Sequence, residues 1–268
     1  MTHTPSYTYF VSDLHLGMHP REKSLEREKL FLKWLESVED NASALWFLGD
    51  TFDYWFEYRK VVPRGFTRFL GRLAELSDRG VEIHFFTGNH DVWMYDYLPR
   101  EMGATVHRVP VIRKLGNHIF YLGHGDGLNK KDRGYRLLQA VFRNRFIQWC
   151  YARLHPNGTM AFAHWWSKKS RYTKGMYLEY AGFDKEDQLQ FALEHSRHHP
   201  EVDFYLFGHR HVPYDNRLND STRAVCLGDW IINFTYAEYD GNTLELKTYL
   251  DDRGSIIREK YHSQTDHA

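Results

Sequence analysis

The chain has 268 residues with 35 Lys/Arg against 35 Asp/Glu and is 42% hydrophobic, so it can bury one large core, and its overall charge selects no partner; nucleic acid is not expected. Its two cysteines, Cys150 and Cys226, stand far apart and in no metal-type spacing, so neither a disulfide framework nor a thiolate zinc site is expected. The first nine residues lack a basic, apolar leader pattern, and no stretch approaches the roughly 18 apolar residues of a spanning helix, which fits a reduced, cytoplasmic setting.

Residues 7–11 read as a strand. Residues 24–38 place Leu25, Phe31, Leu32, Leu35 and Val38 at helical spacing. Residues 44–48 form a buried-strand run. Phe66, Phe69, Leu70, Leu73 and Leu76 mark a second helix, with Gly80 as the residue after its end. Strands follow at 81–86 and 118–122, then at 203–207 and 224–227. Residues 234–239 and 244–249, joined by Asp240-Gly241-Asn242, read as a hairpin. The order predicts an α/β chain with two sheets and helices outside them.

Residues 128–175 differ from the rest, with 11 Lys/Arg against one acid, Asp132, and therefore a net charge of +10. The rest of the chain carries the compensating −10. Trp149, Trp165 and Trp166 lie there with Val141, Phe142, Phe146, Ile147 and Leu154. A basic, aromatic, mainly helical insertion over 128–185 within a single domain spanning 1–268 is expected.

The polar residues follow a rule. Strand residues run into Ser12-Asp13-Leu14-His15, into Gly49-Asp50, into Gly88-Asn89-His90-Asp91, into Gly123-His124-Gly125-Asp126 and into Gly208-His209-Arg210-His211. Ligands in open α/β sheets bind beyond the carboxyl ends of strands, and glycine there lets the backbone turn and approach closely. These side chains should therefore meet in one cleft. Asp, Asn and His supply oxygen and nitrogen donors suited to Mn²⁺, Zn²⁺ or Fe²⁺. Asp13 and His15 are two apart, as are His209 and His211, so each pair can address neighbouring ions, and Asp50 has two oxygens with which to bridge. The other histidines, His195, His198 and His199 among them, have no ligand context and are read as surface or core residues.

Taken together, Asp-x-His, Gly-Asp-x-x-Asp, Gly-Asn-His-Asp, Gly-His-Gly-Asp and Gly-His-x-His resemble the signature of the calcineurin-like metallophosphoesterases, from Asp13 to His211. The resemblance implies a four-layer αββα sandwich with a helical lid. It implies one metal held by Asp13, His15, Asp50 and His211, and a second held by Asp50, Asn89, His124 and His209, two divalent ions that we expect to be Mn²⁺. His90 resembles the family histidine beside the scissile phosphate, which makes Asp50, Asn89 and His90 the catalytic candidates. Asp13-Leu14-His15-Leu16-Gly17, the run from Gly49 to Trp55 and the insertion after Asp126 look most like the UDP-2,3-diacylglucosamine hydrolases of lipid A biosynthesis. That resemblance implies hydrolysis of a lipid-linked nucleotide sugar to UMP and 2,3-diacylglucosamine 1-phosphate at the inner-membrane surface. It places Asp132, Tyr135, Ser167, Ser170 and Lys174 beside the substrate. A soluble nucleotide phosphodiesterase or phosphatase is the alternative, and a scaffold that keeps the fold without catalysis is a third reading.

Overall fold

The computed structural model describes residues 6–129, 132–163, 165, 179–251 and 255–261. Strands β1 (Tyr7–Val11), β2 (Ala42–Phe47), β3 (Glu82–Phe86) and β4 (Thr105–His107) pair in parallel. The second half of the chain supplies β5 (Val111–Leu115), β6 (His118–Leu122), β7 (Phe204–Phe207), β8 (Pro213–Arg217), β9 (Arg223–Leu227), β10 (Thr235–Tyr239) and β11 (Leu244–Thr248). A six-stranded sheet has the order β11-β10-β1-β2-β3-β4, and a five-stranded sheet has the order β5-β6-β7-β9-β8.

Both faces of the central strands are covered, which is why their sequences are apolar without a break. Successive side chains alternate between faces. In β1, Tyr9 and Val11 join the cluster that holds Phe31, Trp34 and Leu35 of α1 (Arg21–Val38) and Phe69, Leu73 and Leu76 of α2 (Thr67–Asp78). Phe10, between them, faces the other sheet, where its ring stacks on Phe120 with centroids 5.8 Å apart. Trp46, Leu48 and Phe86 of the first sheet and Leu122, Leu206 and Val225 of the second fill that same interface. Helix α3 (Tyr97–Met102) supports the edge near β4 through buried Leu98 and Met102. Beyond the second sheet, Leu189 and Ala192 of a last helix, Asp187–Ser196, pack on Tyr205, Phe207 and Cys226. Helix, sheet, sheet and helix make the four-layer order expected from the sequence.

Among the described residues, three helices lie between β6 and the last helix: α4 (Arg133–Arg143), α5 (Arg145–Tyr151) and α6, described over 156–163; the Asp187–Ser196 helix is then α7. Asn144 separates α4 from α5, and its side-chain oxygen accepts the amides of Phe146 at 2.9 Å and Ile147 at 3.1 Å. It thereby caps the second helix while ending the first. The stretch 166–178, with Ser167, Ser170 and Lys174, lies outside the described residues.

Elements that the sequence reading left out have physical reasons for their silence. β5 exposes Ile112, Arg113 and Lys114 at a sheet edge, where charge discourages further pairing and breaks the apolar run. β8 is a short polar strand, Pro-Tyr-Asp-Asn-Arg. Helix α1 begins three residues before its expected start because cap-position Pro20 sets the turn ahead of Leu25, where the apolar pattern begins.

Candidate metal centre

The five motif loops leave the ends of β1, β2, β3, β6 and β7, and both sheets bring their ends to one place. The first two loops are laced by backbone bonds: Asp13 N to Gly49 O at 3.1 Å, His15 N to Asp50 O at 3.0 Å and Leu16 N to Thr51 O at 2.9 Å. The second sheet joins when the His209 amide donates to Asp13 Oδ2 at 2.8 Å. Glycines permit this proximity. A Cβ on Gly88 would lie 2.6 Å from the Asp50 nitrogen, and one on Gly208 would lie 2.6 Å from Asp13 Oδ2.

The seven expected ligands converge. Asp13, His15 and His211 offer donor atoms within 4.8 Å of one another, and so do Asp50, His124 and His209. His211 Nε2 is 3.3 Å from Asp13 Oδ1, His124 Nε2 is 3.4 Å from Asp50 Oδ2, and His15 Nε2 is 3.7 Å from both Asp13 and Asp50. Asn89 Oδ1 stands 3.4 Å from His124 Nε2. Asp13, His15, Asp50, His209 and His211 all hold left-handed backbone, with φ of 55°, 43°, 50°, 68° and 55°. Such conformations cost roughly 1–3 kcal/mol each in non-glycine residues and gather where function over-determines them.

This arrangement fits a metal pair. Asp13 Oδ1 and His15 Nε2 are buried without a hydrogen-bond partner among the described residues, although a buried polar atom ordinarily has one. Both atoms point at the cluster. Burial alone would raise the Asp13 carboxyl, but His211 and His15 beside it bring it down to about 2. Burial alone would lower His15, but Asp13 and Asp53 outweigh it and raise the ring to about 10. Asp50 is likewise held well below the usual range, against the effect of burial, by His124 and His90. Burial and the adjoining His124 push His209 down to about 4. Carboxylates held ionised beside histidines are the donor chemistry of a divalent-ion site.

The outward ring nitrogens are also held. His15 Nδ1 lies 3.3 Å from Asp53 Oδ1, His124 Nδ1 2.8 Å from the Leu48 carbonyl, and His211 Nδ1 3.1 Å from Asp229 Oδ2. Asp229 was missed in the sequence reading. It is buried, and its Oδ1 accepts the amides of Ile231, Ile232 and Asn233 at 2.8–3.0 Å. The signal was present: Ala224 to Leu227 runs into Gly228-Asp229, a sixth strand that ends in a ligand-type residue and the fifth that does so through glycine. Buried Asp91 accepts the amides of Gly88 at 2.7 Å and Phe52 at 3.2 Å and so fixes the turn that carries Asn89.

His90 stands beside the cluster with its ring edge-on to His15, centroids 4.7 Å apart. Its amide donates to Asp50 Oδ1 at 2.8 Å, and its Nδ1 lies 3.0 Å from the Asp53 carbonyl. A carbonyl only accepts, so Nδ1 carries the proton and Nε2 has a lone pair. Burial lowers the His90 pKa, which keeps the ring neutral.

Asn89, His90 and His209 form one end of a cavity of about 380 Å³. Leu138, Val141 and Phe142 of α4, Ile147 of α5, Phe162 of α6 and Trp93 wall the rest. Three polar contacts tie these helices to the core: Trp93 Nε1 donates to the Phe142 carbonyl at 2.9 Å, Tyr54 meets Tyr151 through their hydroxyls at 3.1 Å, and the Tyr58 hydroxyl meets that of Thr159. Tyr135 lines the cavity, donates to Asp126 Oδ2 at 3.0 Å and has its ring 6.3 Å from that of His209. Asp132 is exposed and caps α4 by accepting the Tyr135 amide at 2.9 Å; it is not part of the cavity wall. The apolar residues of the insertion divide in two. Val141 and Phe142 face the cavity, whereas Phe146, Trp149 and Leu154 face solvent.

Residues 7–213 match the calcineurin-like phosphoesterase family. The chain belongs to that family. Within it, the chain is 47% identical over 258 residues to a UDP-2,3-diacylglucosamine hydrolase of Porphyromonas gingivalis, covering 92% of this chain and 98% of the relative. It is 33% identical over 247 residues to the protein of that name from Edwardsiella ictaluri, covering 89% and 90%. The similarity to these hydrolases thus spans nearly the whole of each relative and most of this calcineurin-like phosphoesterase.

Proposed function

We propose that this protein hydrolyses the diphosphate of UDP-2,3-diacylglucosamine, giving UMP and 2,3-diacylglucosamine 1-phosphate. The observation that carries the reading is the cavity: one end borders the carboxylate–histidine cluster, and the walls are mainly aliphatic and aromatic. A soluble nucleotide has no use for such walls, whereas an acyl chain gains roughly 0.8 kcal/mol for each methylene it buries. The 47% identity to a hydrolase of that name points the same way.

Asp13, His15, Asp50 and His211 would hold one ion, and Asp50, Asn89, His124 and His209 the other. Two divalent cations, with Mn²⁺ a good match to these donors, would offset phosphate charge and acidify a water for attack at phosphorus. The protein's own part is position. Asp53, Asp229 and the Leu48 carbonyl orient the ligand rings. Asp91 braces the Asn89 turn through the Gly88 amide. Neutral His90, with its lone pair on Nε2, serves by orienting and polar contact. The leaving group is itself a phosphate that departs as an anion, so the step requires no proton from it. Tyr135 presents its ring between His209 and the apolar wall. Ser167, Ser170 and Lys174 complete the substrate contacts in this proposal.

Association with the membrane surface belongs to the same reading. Phe146 and Trp149 are stacked and exposed, and the Arg153 guanidinium lies 3.3 Å above the Trp149 ring. Aromatic and leucine side chains beside arginines suit an anionic leaflet, at about 1 kcal/mol for each basic residue near the surface. Among the described residues, no helix is long and apolar enough to cross a membrane. The test is selectivity: Mn²⁺-loaded protein should prefer the diacylated substrate to UDP-N-acetylglucosamine by at least about a hundredfold in kcat/KM, since each ~1.4 kcal/mol of buried chain is tenfold. Equal rates on both would favour the soluble-nucleotide reading.

A further inference from the structure

A second cavity, of about 290 Å³, lies at the amino-terminal ends of α1 and α2. It adjoins the first through Tyr54, which lines both. Leu16 and Gly17, the continuation of the loop that carries Asp13 and His15, form part of its wall. The two cavities therefore share a wall residue, and the second borders the continuation of a ligand-bearing loop. The two walls differ in chemistry. Where the first is mainly apolar, with Arg143 its one described arginine, the second gathers Arg21, Arg64 and Arg68.

None of these three guanidinium groups lies within salt-bridge or hydrogen-bond distance of a described residue, although Arg68 attracts the buried Glu28 carboxylate across the same cavity. Arg72, Arg210 and Arg223, by contrast, each hold a carboxylate. Among the described lining residues, Glu28 is the one acid, and it is buried. Three exposed guanidinium groups against one buried carboxylate leave the rim of this concavity net positive, which favours an anionic ligand. Arginine offers a planar set of donors that matches phosphate and carbonyl oxygens two at a time. The volume lies at the lower edge of the range of about 300–1,000 Å³ usual for small-molecule sites.

We propose that the arginine-lined cavity receives a nucleoside phosphate, the nucleotide half of the substrate, while the acyl half occupies the apolar cavity and the cleaved linkage lies at the cluster between them. The proposal rests on the function proposed above. It assigns to Arg21, Arg64 and Arg68 the recognition of the leaving nucleotide.

The experiment titrates UMP, uridine and inorganic phosphate into the Mn²⁺-loaded protein by calorimetry, for the wild type and an Arg64→Ala/Arg68→Ala double variant. Both arginines are exposed, and unchanged Mn²⁺ affinity would show an intact fold and cluster. Losing charge-assisted hydrogen bonds should weaken UMP binding at least roughly tenfold. The KM for UDP-2,3-diacylglucosamine should rise by about the same factor, with kcat changed by less than about threefold. Unchanged UMP affinity and KM in the double variant would overturn the subsite. Inorganic phosphate bound as tightly as UMP, with the same loss in the variant, would overturn the nucleoside assignment. If the wild type ignores the lipid substrate yet binds UMP through these arginines, the subsite stands and the lipid reading falls.

Discussion

Three histidines of the cluster are gripped at the ring nitrogen that faces away from it, by Asp53, Asp229 and the Leu48 carbonyl. Each grip orients its ring so that Nε2 faces the cluster. Asp229 is the clearest test because it touches His211 and three backbone amides but stands one shell from the expected metals. Asp229→Ala should weaken Mn²⁺ binding by about 10–100-fold in a calorimetric titration; unchanged affinity would show that the His211 ring needs no such partner. Gly88→Ala belongs to the same scale. Its new Cβ would press on Asp50, so the variant should lose Mn²⁺ affinity and turnover together while its circular dichroism stays native. All seven ligand candidates were legible in the sequence because each follows an apolar strand, mostly with a glycine between. Asp229 obeyed the same rule and was passed over. The Leu48 carbonyl could not have been found, since a backbone acceptor leaves no mark in the residue type.

Helices α4, α5 and α6 set what the cluster is offered. The break at Asn144 rotates the apolar positions of α5 relative to those of α4, so Val141 and Phe142 line the cavity while Phe146 and Trp149 face outward. The composition of the segment showed aromatic helices. It could not show which side each presents, because face assignment from periodicity requires one uninterrupted helix. The central strands were legible for the opposite reason: they are short, continuous and covered on both sides. Val141→Trp should shorten the cavity. The expected result is a KM for the diacylated substrate raised roughly tenfold, by analogy with the ~1–3 kcal/mol cost of overfilling a packed space. A shorter-chain diacyl analogue should be affected less. Equal effects on both chain lengths would mean that the acyl chains lie elsewhere. On the outer side of the same helices, Phe146→Asp with Trp149→Asp should reduce binding to vesicles containing anionic lipid, measured by co-sedimentation.

At the scale of the molecule, two sheets share one aromatic interface and deliver ligands from both of their ends. At its margin, the rings of Trp46 and His84 stack with centroids 3.7 Å apart, and His107 lies 3.2 Å from His84 through their ring nitrogens. Burial, with His84 and Arg113 adding to it, lowers His107 from its ordinary 6.5 to about 4. Between those values the unfolded chain binds the proton and the folded chain does not. The stability that depends on neutral His107 is therefore complete above about pH 6.5 and is lost as pH falls through about 4. Replacing His107 with Phe should flatten the fall in Tm over that interval relative to the wild type; parallel curves would remove His107 from the account. The basic charge of residues 128–175 was readable from composition alone, but that α4, α5 and α6 wall a cavity beside the cluster emerged only from the fold. The central claim is that this cluster cleaves a lipid-linked nucleotide, and ³¹P nuclear magnetic resonance of UDP-2,3-diacylglucosamine with the Mn²⁺-loaded protein tests it most directly. The account predicts that the diphosphate signals give way to those of UMP and the lipid 1-phosphate, and that folded Asp50→Ala leaves the substrate intact. A substrate untouched by the wild type, or turnover that survives in Asp50→Ala, would contradict it.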